Sequence, residues 1–127
     1  MSSKFSITST IKSYPNFPYQ EIKNAILGKN YELSLAFIGT KRAQKLNVDY
    51  RKKGYVPNVL SFPLSDDCGE IFICPEIAYK EAWEFNLSKD GYIAFLFIHG
   101  LLHLKGYDHG VKMEELEKRF MKRFNIS

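Results

Sequence analysis

The chain has 127 residues, enough for one domain with a buried core, and 45% of them are hydrophobic. That share excludes a disordered chain, and no uncharged apolar run is long enough to suggest a membrane-spanning helix. The net charge of +4 is local: Lys41, Arg42, Lys45, Arg51, Lys52 and Lys53 face Asp49 alone within residues 41–53, leaving the rest close to neutral.

From the N-terminus, "MSSKFSITST" lacks the apolar centre of a secretion signal, so a soluble, cytoplasmic protein with no membrane partner is expected. "FSIT" from Phe5 reads as a strand. "PYQEIKNAIL" reads as a helix between Pro18 and Gly28. "YELSLAFIG" alternates, with Leu33, Leu35 and Phe37 on one face and Glu32 and Ser34 on the other, which predicts a half-buried strand. Thr40 is a candidate N-cap for a short helix carrying the basic cluster, and "KKGYVP" is loop. "NVLSFP" predicts a strand closed by Pro63, and the short turn "LSDDCG" before "EIFIC" predicts an antiparallel hairpin. Cys68 and Cys74 form no paired motif and read as reduced thiols.

Pro75 opens the helix "PEIAYKEAWEF", and Ser88 caps the next one. That next helix, "GYIAFLFIHGLLHL", is apolar on nearly every side, the mark of a helix buried in the middle of a fold. The last, "VKMEELEKRFMKRF", places Met113, Leu116, Phe120 and Phe124 on one stripe. The order predicts one α+β domain over residues 1–127: a small mixed sheet with helices packed against it and a buried central helix bearing histidines.

All three histidines, His99, His103 and His109, fall within residues 99–109. His99 and His103 are one helical turn apart and share a face. Gly106 stands where a left-handed residue ends a helix, so the chain can fold back and bring His109 beside them. The spacing HxxxHxxGxxH is that of certain zinc proteases, and burying three imidazoles without partners would be costly. Three protein ligands leave a zinc ion one open position, which suits catalysis; nickel, copper and iron also accept imidazole. The proteases carry a general-base glutamate directly after the first histidine. Here that position is Gly100, which argues against peptide hydrolysis and leaves room, on this reading, near the metal.

"HGLLHLKGYDH" resembles the signature of the YbeY family of bacterial rRNA maturation factors, which are metal-dependent endoribonucleases. "LNVDYRKKGYVPNVLSFP" and "GEIFICPEIA" resemble two further blocks of that family, so the likeness spans roughly residues 31–110. It implies an α+β fold, one zinc ion per chain on His99, His103 and His109, and cleavage of single-stranded RNA in 3′-end maturation of small-subunit ribosomal RNA and in ribosome quality control. It implies the small ribosomal subunit and the GTPase Era as partners. Arg51 matches the family's functional arginine; on the residues alone it is a surface arginine. It and His99 are the catalytic candidates. Lys41, Arg42, Lys45, Arg51, Lys52 and Lys53 are candidates for RNA contact, and Tyr50 or Tyr55 for base stacking or loop packing. Asn58, Glu70 and Pro57 depart from the Asp, Asp and Thr frequent in the family. Asp108 reads equally as a residue orienting an imidazole or as a turn cap. The alternatives are a ribosome-assembly factor with a structural zinc and no catalysis, and a metal hydrolase acting on another substrate such as a peptide.

Overall fold

The alternation of "ELSLAF" becomes strand β2, Glu32–Phe37, in the computed structural model, which describes residues 4–127. Strands β1 (Phe5–Ser9) and β4 (Cys68–Ile73) flank β2 and run parallel to it, and β3 (Val59–Ser65) pairs antiparallel with β4, giving the order β1-β2-β4-β3. Parallel neighbours need a crossover; helix α1 (Tyr19–Leu27) supplies the first, and helix α2 (Thr40–Arg51) followed by β3 fills the second.

The strand period of two gives the sheet two apolar faces. Leu33, Leu35, Phe37, Ile71 and Ile73 face the main core, while Ala36, Leu60 and Phe72 pack with Ala43 of α2 on the other side. On the main-core side lies helix α4, Lys89–Lys105, touching β3, β4, α1, helix α3 (Pro75–Glu81) and helix α5 (Val111–Arg123). Its Ile93, Phe97, Ile98 and Leu101 are fully buried, because neighbours surround it on every side but the one that carries His99 and His103. The Ser88 hydroxyl accepts from the Gly91 N–H at 2.9 Å and sets where α4 begins.

The architecture is the expected α+β arrangement, and it corrects some local expectations. Thr40 is the first helical residue; Gly39 occupies the N-cap position and offers no side-chain bond. Strand β3 does not stop at Pro63 but runs to Ser65, with a register irregularity between them. As an edge strand it tolerates a residue without an N–H. Helix α3 tightens after Glu81 into a 3-10 turn, Ala82–Phe85, which Asn86 ends in the left-handed region. Cys68 and Cys74 are unbridged; Cys68 opens β4 and Cys74 directly follows it, which sets them about 20 Å apart, far beyond disulfide reach.

Candidate metal centre

Helix α4 presents His99 and His103 on one side, and the residues after it return the third imidazole. Gly106 adopts φ 110°, its N–H bonds the His103 carbonyl and the Tyr107 N–H bonds the Leu102 carbonyl. This glycine-terminated turn reverses the chain. His109 then lies with its ring 5.1 Å from that of His99 and 4.9 Å from that of His103. One nitrogen from each of the three rings falls within a 4.8 Å span.

The hydrogen bonds assign the tautomers. His99 Nδ1 is 2.6 Å from Glu117 Oε2, and His103 Nδ1 is 3.0 Å from the Tyr107 carbonyl oxygen. An acceptor at each Nδ1 places the ring proton there and leaves each Nε2 with a lone pair. Those two Nε2 atoms face each other at 3.1 Å. Two lone pairs at that distance repel unless they share a cation, either a proton or a metal ion. The third imidazole favours the metal, since nitrogens bound at 2.0–2.1 Å to one tetrahedral ion lie roughly 3.3 Å apart. Burial first, and then the His99 ring, pushes His103 below its usual pKa, which favours the neutral form that ligates. The donor set therefore fits a divalent cation such as zinc.

Glu117 is a functional candidate that the sequence reading missed. It is only 7% exposed, and it comes from α5. Its signal was present: with Met113, Leu116 and Phe120 it completes an i, i+3, i+4, i+7 stripe, so a carboxylate stands inside an apolar face. Asp108, by contrast, is exposed; Glu117 and the Tyr107 backbone make the orienting contacts.

The histidines line a cavity of about 780 Å³ that also takes in Arg51, Tyr55, Asn58, Phe85 and Lys118. Arg51 is exposed and has no salt-bridge partner among the described residues. It arrives on the last turn of α2, where Lys52 turns left-handed at φ 59°. The following loop is tied to the helix by Gln44 Nε2 donating to the Gly54 carbonyl and Asn47 Nδ2 donating to the Tyr55 carbonyl, both at 2.9 Å. Lys41, Arg42, Lys45, Lys52 and Lys53 do not line the cavity. They belong to α2 and the loop after it; α2 packs against the opposite face of the sheet, with Arg42 over Phe72 and Lys45 paired to Asp49. Lys118, from α5, is a cavity cation the sequence reading missed. Tyr55 is at the cavity, whereas exposed Tyr50 rests on Phe62 outside it. Asn58 donates to Glu81 Oε1 at 2.8 Å, a contact in which an aspartate would oppose a second carboxylate.

Gly100 is a close-packed position between α4 and the sheet. A Cβ there would come within 2.8 Å of Ser61 Oγ and 3.1 Å of Ile71 Cδ1. The glycine makes room for the sheet, and its carbonyl accepts from Ser61 Oγ at 3.2 Å.

Comparison with known proteins gives the family. A curated endoribonuclease YbeY from Finegoldia magna is 41% identical over 76% of this chain and 71% of its own length. One from Ureaplasma urealyticum is 34% identical over 98% of this chain and 94% of its own. One from Mesoplasma florum is 36% identical over 82% of this chain but only 65% of its own length, so the chain spans less than two thirds of some relatives. The solution structure of a Thermotoga maritima protein superposes with a TM-score of 0.66 at 26% identity, over 94% of this chain and 88% of that one. The family model described as endoribonuclease YbeY matches residues 3–125, and the chain belongs to that family.

Proposed function

We propose that residues 1–127 act as one metal-dependent endoribonuclease domain that cleaves single-stranded RNA, with a zinc ion held by His99, His103 and His109. The observation that carries this reading is the meeting of three imidazole nitrogens and an unpaired arginine on one open cavity. Its volume, about 780 Å³, is in the range of small-ligand sites and accommodates a nucleotide. When bound, a divalent cation polarises a phosphoryl oxygen and lowers the pKa of water at the site. Arg51 forks onto the non-bridging oxygens of the phosphate, in a bidentate geometry that lysine lacks. Glu117 and the Tyr107 carbonyl keep the protons of His99 and His103 on Nδ1, so both Nε2 atoms stay available. Lys118 at the cavity, and Lys41, Arg42, Lys45, Lys52 and Lys53 beyond it, offer the rest of the strand sequence-blind contacts.

The names of the curated relatives support RNA as the substrate. The family resemblance supports a setting in 3′-end maturation of small-subunit ribosomal RNA and ribosome quality control, in the cytoplasm, with the small subunit and the GTPase Era as partners. No described helix is long and apolar enough to cross a membrane.

The test is a cleavage assay on labelled single-stranded RNA with protein as isolated, after chelation, after zinc is restored, and as His103→Ala checked for folding by circular dichroism. Cleavage that disappears with the metal, returns with zinc and is absent from the folded variant is the expected result. Absence of cleavage throughout, with zinc still bound, would replace this reading with that of an assembly factor holding a structural metal.

A further inference from the structure

Four aromatic rings lead from solvent to the metal centre. Phe85, at the end of the 3-10 turn, stacks on Tyr92 at 4.8 Å and 23° and lies 5.8 Å from Phe95. Phe95 in turn lies nearly parallel to His99, at 6.2 Å and 26°. Tyr92 is 2% exposed, whereas Phe85 is 47% exposed and lines the same cavity as His99 and Arg51. Tyr92 stacks on one face of the Phe85 ring, and the residue nevertheless keeps 47% of its surface exposed. The turn that carries it ends at Asn86, which is in the left-handed region. Trp83, on the same turn, is 75% exposed but does not line the cavity, so exposure and access to the site are separable on this turn.

We infer that the free face of Phe85 is a stacking platform for a nucleobase of the bound RNA, next to the nucleotide whose phosphate meets Arg51 and the histidines. The inference rests on the RNA reading above and names a residue that positions the substrate within it. An aromatic ring and two cations lining one cavity match the two parts of a nucleotide: the base has a π-face whatever its identity, and the phosphate carries the charge. Stacking gives the strand a register at the cavity without reading its sequence. A hydrophobic peptide side chain would use the ring but would leave Arg51 and Lys118 without anionic partners.

Binding to zinc-loaded protein, with 2′-O-methyl RNAs and readings taken before any cleavage is detected, tests this. Hexanucleotide RNAs are titrated by fluorescence anisotropy, each either intact or abasic at one successive position, with 2-aminopurine emission as a second readout. Wild-type protein should bind intact RNA, and one abasic position should weaken binding about fivefold or more. Phe85→Ala should weaken the intact RNA by a similar factor and show no further loss with that abasic RNA. Phe85→Tyr should restore binding and the 2-aminopurine quenching; Trp83→Ala should bind like wild type. Phe85→Leu keeps an apolar group on Tyr92 and guards against loss of fold in the alanine variant. If folded Phe85→Leu and Phe85→Ala both bind RNA as wild type does, the platform is overturned while the RNA reading stands. If zinc-loaded wild type binds none of the RNAs, both fall.

Discussion

Removing the Glu117 carboxylate should loosen the metal without unfolding the domain. The contact from Glu117 Oε2 to His99 Nδ1 is 2.6 Å, short enough to be charge-assisted, and Glu117 is 7% exposed, so water competes poorly for it. In Glu117→Ala the His99 proton is free to move to Nε2, where it would occupy the ligand position, and the ring gains rotational freedom. Contacts that orient a ligand in this way are typically worth ~10- to 100-fold in metal affinity, or about 1.4–2.7 kcal/mol. Glu117→Gln retains an acceptor oxygen but not the charge, and should lose less. Zinc affinity measured by competition with a chromogenic chelator gives the ordering wild type, Gln, Ala. Nitrogen chemical shifts of His99 report the tautomer directly, a readout that a merely structural role for Glu117 would leave unmoved. A folded Glu117→Ala protein with wild-type zinc affinity and the His99 proton still on Nδ1 would refute the reasoning.

Arg51→Ala should keep the fold and zinc affinity but reduce RNA cleavage at limiting RNA by roughly tenfold or more, the scale of a lost bond to a charged group; Arg51→Lys should recover only part, and unchanged turnover would remove Arg51 from the site. Gly100→Ala forces a Cβ to 2.8 Å from Ser61 Oγ and should cost about 1–3 kcal/mol of overpacking, partly offset by better helix propensity, read as a lowered urea midpoint. Burial first, and then the Glu81 charge, raises Tyr92 to about 12. The unfolded chain, with Tyr92 at its usual value near 10, loses that proton first, so folded stability should fall as pH rises from about 10 to about 12. Tyr92→Phe should show a shallower alkaline decline in urea melts, and an identical slope would contradict it.

What the sequence made legible follows from short-range physics. The alternation of β2 and the apolar surround of α4 identified the core, and the i, i+4 histidines with Gly106 described the turn that brings three imidazoles together. These signals sit within one element or its immediate end. The parts that escaped depend on contacts between distant segments. Glu117 looks like one more acid in "MEELEKRF" until α5 is laid against α4. The basic cluster looked like one patch because its residues are neighbours in sequence. The structure places α2 on the far face of the sheet, and only its last residue, Arg51, reaches the cavity. Pro63 misled for the same reason: whether a proline ends a strand depends on whether that strand is an edge, which is a property of the whole sheet.

Gly100 shows how packing separates chemistries that share a histidine spacing. In the zinc proteases the residue after the first histidine supplies the base. In this chain the sheet occupies the space where a side chain from that position would go, against Ser61 and Ile71, so α4 sits close to β3 and β4 at the expense of a carboxylate. Among the residues lining the cavity the carboxylates are Glu114 and Glu117, both from α5, and Glu117 is engaged with His99 Nδ1. The helix that holds two of the imidazoles therefore brings no carboxylate with them, and the zinc-protease arrangement of base and ligands on one helix is not reproduced. RNA differs from a peptide in carrying a hydroxyl beside its own scissile phosphate. A site with three imidazoles, an arginine and no glutamate directly after its first histidine loses less with RNA, which carries that hydroxyl, than it would with a peptide.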